Sequence, residues 1–283
     1  MNSWSFGLVA CILAAGYYGV QKIQGMIIYP SNFPEDSRTE VADPSSFNLE
    51  YDDVYITTKD GEKLHGYFIP FSNANKTVIM LGPNAGNIGH SLPLAELLFN
   101  EMQVNVLTIG YRGYGKSTGV PSEAGIKTDA QAIIDYVANE PRIAKTSIVL
   151  YGRSLGGAVA IYMACIAKSL IRAVIVENTF LSIRKLIPSV LPIAQPLGFL
   201  LTERWESEKT IKHLDPELPM LFVGGGQDEL VPPAHFAKLF ALAPSTHKFL
   251  KIYANGTHND TCIQEGYWRD IHMFLATKVF PAE

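Results

Sequence analysis

The chain has 283 residues, 47% of them hydrophobic and 18% charged, with a formal net charge of −4. So apolar a composition excludes a disordered chain, and the slightly acidic balance excludes a basic face of the kind that neutralises nucleic-acid phosphates. Three cysteines, Cys11, Cys165 and Cys262, lie too far apart for a disulfide framework or a zinc site, so neither a nucleic-acid partner nor a metal is expected.

From Trp4 to Val20 the chain runs without a charge until Lys22, close to the ~20 residues that cross a bilayer. Trp4, Tyr17 and Tyr18 sit where interfacial aromatics belong, and nothing basic precedes the run. The expectation is an uncleaved, single-pass signal anchor over residues 1–21, in a membrane of the endoplasmic-reticulum type. A signal cleaved near Ala14-Ala15-Gly16 and a buried helix are the alternatives, and Lys22 alone does not set the side of the membrane. Residues 22–46, rich in Pro, Ser and acidic residues, read as a linker, and residues 47–283 as one folded domain.

Tyr51–Thr57 and Lys63–Phe71 alternate in the manner of strands around Lys59-Asp60-Gly61, which predicts an antiparallel hairpin. Short apolar runs then alternate with helical stretches. Thr77–Leu81 precedes Leu92–Met102, Val104–Ile109 precedes Glu123–Asn139, Ser147–Tyr151 precedes Leu155–Ala167, and Ala173–Val176 follows. Met220–Val223, Ala234–Leu242, His247–Tyr253 and a helix around Tyr267–Lys278 complete the order. Such alternation predicts an α/β fold with a mostly parallel sheet covered on both faces. The one break, residues 180–218, carries Pro188, Pro192 and Pro196 among Leu, Ile and Phe, and reads as an apolar cap inserted into the domain.

Gly110-Tyr-Arg-Gly-Tyr-Gly115-Lys116-Ser117 has the spacing of a phosphate-binding loop. Such a loop must run straight into a helix whose N-terminal amides hold the phosphates. Here Gly119 and Pro121 follow, which disfavour a first helical turn, so the stretch reads as a turn and no nucleotide is expected.

Gly152-Arg153-Ser154-Leu155-Gly156, by contrast, leaves a buried-strand run and enters a helix with a small-residue face. A strand–turn–helix elbow holds its serine in a strained conformation with the hydroxyl projecting, and glycines two residues to either side relieve the crowding. Ser154 is therefore the candidate nucleophile. In this architecture the partners follow in the order acid, then histidine. Asp228 lies just beyond the Met220–Gly224 strand run, with Glu229 read as its solvated neighbour; Glu177, which ends an earlier strand, is the alternative acid. Of seven histidines, His258 is the one in a loop after the last predicted strand, and it is the candidate general base. The oxyanion needs two backbone donors. Leu155 N–H follows the nucleophile, and in Gly82-Pro83-Asn84 the proline has no N–H, which leaves Asn84 as the second.

With these residues in place, the sequence resembles the membrane-anchored eukaryotic α/β-hydrolase group that includes α/β-hydrolase domain-containing protein thirteen and the fungal bud-emergence homologues. The resemblance is carried by Ile28-Tyr29-Pro30, Asn84-Ala-Gly-Asn-Ile-Gly89, Tyr111-Arg-Gly-Tyr-Gly115, Tyr151-Gly-Arg-Ser-Leu-Gly-Gly157, Glu177-Asn-Thr-Phe-Leu-Ser182, Asp228-Glu-Leu-Val-Pro232 and Thr257-His-Asn-Asp-Thr261. It implies an α/β-hydrolase fold with Ser154, Asp228 and His258 as a catalytic triad. The group usually has His-Gly where Gly82-Pro83 stands here, so the oxyanion loop departs from the pattern. The implied activity is hydrolysis of an ester or thioester, of a lipid or an acylated protein, without metal or organic cofactor. A peptidase-like hydrolase and a non-catalytic scaffold at the membrane are the competing expectations, and the apolar cap suits a long acyl chain.

Overall fold

In the computed structural model of the chain, residue 16 and residues 19–279 are described. The expected anchor, Trp4–Val20, falls almost wholly outside them. Among the described residues no helix is long and apolar enough to cross a membrane. Residues 19–28 form a helix, α1, and the stretch expected as a linker then lies on the domain, with Tyr29 and Ser37 buried and a 3₁₀ turn at Pro44–Phe47.

The domain opens with the hairpin β1 (Asp52–Thr57) and β2 (Lys63–Ile69), paired antiparallel as its sequence predicts. The strands β3 (Lys76–Leu81), β4 (Asn105–Ile109), β5 (Ser147–Arg153), β6 (Ile171–Glu177), β7 (Met220–Gly225) and β8 (Lys248–Tyr253) follow. Between them run α2 (Leu92–Met102), α3 (Glu123–Asn139), α4 (Pro141–Ala144), α5 (Leu155–Ile166), α6 (Ile183–Val190), α7 (Ser207–Thr210) and α8 (Ala234–Leu242), and α9 (Tyr267–Lys278) closes the domain. The sheet order is β1-β2-β4-β3-β5-β6-β7-β8. β2 meets β4 antiparallel, and from β4 to β8 every pairing is parallel, which is the predicted α/β-hydrolase architecture.

Adjacent residues of one strand serve opposite cores. Ile79 and Leu81 pack with α3 and α5 residues such as Ile126 and Val159, while Val78 and Met80 pack with Leu98 of α2 and Ile271 of α9. That two-sided burial explains why the parallel strands read as continuous apolar runs rather than alternating ones. The chain winds outward in one direction after β3 and in the other after β5, so the crevice beyond these two neighbouring strands is the topological switch point where open α/β sheets bind ligands.

Candidate active site

Ser154 stands at that crevice, between β5 and α5, with φ 53° and ψ −116°. A side chain rarely adopts this left-handed region, and the packing enforces it. A Cβ at Gly156 would lie 1.9 Å from the carbonyl oxygen of Leu81, and one at Gly152 would lie 2.2 Å from that of Gly156. Only glycine lets α5 start so close to β3. The backbone is held from the β6 side as well, because Ser154 N–H donates to the carbonyl of Glu177 at 2.8 Å and Thr179 Oγ1 donates to the carbonyl of Ser154 at 2.8 Å.

The other two predicted side chains arrive from the ends of β7 and β8. Nε2 of His258 is 3.1 Å from Ser154 Oγ, and its Nδ1 is 2.8 Å from Asp228 Oδ2. All three residues are buried. The other oxygen of Asp228, Oδ1, accepts from Leu230 N–H at 3.0 Å and Val231 N–H at 2.7 Å, so a carboxylate there faces donors alone. Its Oδ2 therefore accepts a hydrogen bond from Nδ1–H of His258, which leaves the Nε2 lone pair directed at the serine hydroxyl. Glu229, expected in solvent without a role, accepts from the backbone N–H of His258 at 3.2 Å.

Glu177 is not brought to the histidine ring. Its side chain leaves β6 towards α9, where Oε2 accepts from Tyr151 at 2.6 Å and from Tyr267 at 2.8 Å. Burial, followed by the Glu177 charge, pushes both phenols well above their usual range. Arg153 Nε lies 3.9 Å from Glu177 Oε1, and neither atom has a hydrogen-bond partner among the described residues.

The N–H groups of Asn84 and Leu155 donate to nothing among the described residues, and both residues line the same cavity as Ser154 and His258. Two tyrosines of the loop that mimics a phosphate site set the conformation around Asn84. Tyr111 donates to the carbonyl of Gly82 at 3.0 Å and Tyr114 to that of Asn84 at 2.7 Å. Ser117 of that loop is spent on the fold, since its Oγ donates to Gly110 O at 2.8 Å and accepts from His65 N–H at 2.9 Å. Sequence reasoning missed the tyrosines, and it missed Arg153, whose Nη2 donates to the carbonyl of His258. Its position inside the G-x-S-x-G motif was the available signal.

The cavity above Ser154 measures about 510 Å³ and is walled by aliphatic side chains of α1, α6 and the 3₁₀ segment Pro192–Leu200. No group of three or more His, Cys, Asp or Glu side chains among the described residues is arranged to hold a metal.

Residues 84–213 match the family described as "Serine aminopeptidase, S33". Over 273 residues the chain is 41% identical to protein bem46 of Schizosaccharomyces pombe, covering 95% of this chain and 90% of that one. It is 41% identical over 257 residues to a Saccharomyces cerevisiae protein named an uncharacterized membrane protein, covering 91% and 90%. It is 33% identical over 282 residues to the α/β-hydrolase domain-containing protein WAV2 of Arabidopsis thaliana, covering 93% and 91%. Among solved structures, an esterase of Pyrococcus furiosus superposes with a TM-score of 0.69 at 22% identity, covering 84% of this chain and 96% of that one. An α/β-hydrolase of Vibrio vulnificus superposes with a TM-score of 0.72 at 22% identity, covering 89% and 92%. With this sheet, this elbow and these relatives, the chain belongs to the bud-emergence family of α/β-hydrolase domain proteins.

Proposed function

We propose that the protein is a membrane-anchored serine hydrolase that cleaves carboxylic esters or thioesters through an acyl-enzyme. The observation that carries this reading is the run of contacts from Ser154 Oγ to His258 Nε2 and from His258 Nδ1 to Asp228 Oδ2, at the floor of an apolar cavity. Ser154 Oγ attacks the substrate carbonyl carbon while its proton passes to His258 Nε2. Asp228 holds the imidazole in the required tautomer and stabilises the imidazolium. The N–H groups of Asn84 and Leu155 receive the developing oxyanion. Collapse of the tetrahedral intermediate breaks the bond to the alcohol or thiol, which leaves with the proton from Nε2. Water then attacks the acyl-serine, giving its proton to the same nitrogen, and the acid departs as Ser154 recovers its hydrogen.

The matched family's description names an aminopeptidase, yet an enzyme that grips a free N-terminus needs an anion beside the ammonium. No Asp or Glu lines this cavity among the described residues, and that favours an ester or thioester over a peptide. The uncharged run Trp4–Val20 supports residues 1–21 as the anchor, in an endomembrane, with the catalytic unit following it.

Labelling of the full chain by a fluorophosphonate probe, lost in Ser154→Ala, tests the enzyme; an inert wild type would make the protein a scaffold. A panel of esters, thioesters and aminoacyl amides tests the substrate class. Alkaline carbonate extraction tests the anchor, since release of the full chain from membranes overturns it.

A further inference from the structure

We propose that α1 is one wall of an acyl-binding channel, so that the membrane-proximal helix and the cap together measure the acyl chain delivered to Ser154 and select long chains. The inference rests on the ester or thioester hydrolase reading and names its substrate.

The channel is built from two parts far apart in sequence. Val20, Ile23 and Ile27 of α1 line it together with Ile187, Ala194 and Leu197 of the cap, and Ser154 and His258 line the same cavity. The polar side chains among the lining residues are few: Ser154 and His258, which meet each other, Asn84, and Gln24, whose amide is engaged with the cap. An apolar bore with few polar groups fits an acyl chain whose carbonyl rests at the serine. If each methylene occupies roughly the ~30 Å³ of a water molecule, a cavity of about 510 Å³ takes a chain of at most about 17 carbons.

The helix is held in this position by specific contacts. Gln24 Nε2 donates to the carbonyl of Leu200 at 2.9 Å, and its Oε1 accepts from Thr202 N–H at 2.9 Å and Thr202 Oγ1 at 3.1 Å. One amide thus joins α1 to the end of the cap through both of its polar atoms. Below it, Trp205 Nε1 donates to the Tyr29 hydroxyl at 2.8 Å, and Tyr29 donates to Glu203 Oε2 at 2.6 Å. On the other side, Asn84 Nδ2 donates to the carbonyl of Ile28 at 2.9 Å, so the oxyanion loop itself holds the last turn of α1. Despite this anchoring Ile23 is 59% exposed and Ile27 57% exposed. Aliphatic surface that lines a channel and stays uncovered is what an occupying acyl chain would remove from water. The uncharged run of sequence leads directly into α1, which brings the channel to the lipid side of the protein.

The chain length can come from a lipid oxyester or from an S-acyl thioester, and the same full-length protein in detergent micelles tests both. Butyryl, octanoyl, lauroyl and palmitoyl oxyesters are compared with the matching thioesters, and the ratio of kcat/KM for palmitoyl to that for butyryl is read on one sample, so that the folded fraction cancels. In the wild type the ratio exceeds about ten in at least one series, and that series identifies the source. Each methylene shut out of an apolar site costs about fourfold in binding. Ile27→Trp in α1 and Ala194→Phe in the cap should each lower the ratio by tenfold or more. Gln24→Ala, which adds no bulk, should lower it by loosening the helix. A ratio that responds to Ala194→Phe but not to Ile27→Trp or Gln24→Ala overturns the role of α1. A flat length profile with intact probe labelling overturns the channel while leaving the serine hydrolase standing, whereas a wild type that neither labels nor hydrolyses any ester removes both.

Discussion

Arg153, the residue before the candidate nucleophile Ser154, donates from Nη2 to the carbonyl oxygen of His258 at 3.0 Å and to Asn259 Oδ1 at 2.8 Å. The elbow and the histidine loop are thereby tied to each other by a charged group, and Asn178 Nδ2 reinforces the tie at the same carbonyl at 3.1 Å. Arg153→Ala should lower kcat about 10²-fold with little change in KM, because displacement of a catalytic group by an ångström has that cost. Arg153→Lys should recover only part, since an ammonium lacks the fork that reaches two acceptors. Steady-state kinetics on an ester, beside a thermal melt of each variant, separates this positioning effect from lost folding.

The acid assignment is tested by a pair of variants. Asp228→Asn keeps the shape but presents the wrong partner to Nδ1, and a loss of roughly 10⁴ in kcat is expected. Glu177→Gln should cost far less in rate, because its carboxylate meets Tyr151 and Tyr267 rather than His258. Equal losses with the fold retained by circular dichroism would count against the assignment.

Gly156→Ala should destabilise the protein by about 3 kcal/mol or abolish folding, since its Cβ would meet the Leu81 carbonyl oxygen at 1.9 Å and that backbone belongs to the central strand β3. Urea titration of the variant measures the loss. A stability within ~0.5 kcal/mol of the wild type would mean that the elbow can open.

The loop with phosphate-site spacing should prove structural. Arg112 Nε donates to buried Asp129 Oδ1 at 2.8 Å, and Nη1 donates to Asp60 Oδ2 at 2.7 Å. Burial pushes the Asp129 carboxyl up, while the Arg112 guanidinium holds that of Asp60 well below its usual range. Arg112→Ala strands a buried carboxylate and should cost about 3–5 kcal/mol. Lys116 is exposed, and Lys116→Ala should leave stability unchanged, while calorimetry should detect no ATP binding by either protein.

Acidification should weaken the fold in a defined window. Burial lowers the pKa of His65 and of His235, against the smaller opposite pull of Asp53 on the first. A histidine whose folded pKa lies below its unfolded value of about 6.5 binds fewer protons in the native state, so its stability contribution is present above that pH and lost as pH falls below it. The urea midpoint should drop between about pH 7.5 and 5.5, and His65→Gln should reduce the drop. A midpoint independent of pH in that interval would refute the linkage.

The order of strands and helices was legible because it is written in short-range patterns. Uninterrupted apolar runs such as Ser147–Tyr151 can be buried only on both faces of a parallel sheet, and the glycines around Ser154 mark a turn that no other residue could make. Asp228 and His258 were legible for a related reason, since both follow a recognisable strand and so emerge at the same edge of the sheet. What lay beyond the sequence was direction and long-range contact. Glu177 also ends a strand, and only the pleat and register of β6 turn it away from the histidine towards Tyr151 and Tyr267. Tyr111 and Tyr114 looked like parts of a turn until folding laid their hydroxyls on the carbonyls of Gly82 and Asn84. Residues 19–28 carried no sign that they would pair with a cap more than 150 positions away, because the contact of Gln24 with Leu200 and Thr202 spans 176 and 178 positions and has no local signature. Local periodicity determines which elements form and where their ends lie, whereas the placement of α1 beside the cavity of Ser154 is decided by packing between segments that meet only in the folded chain.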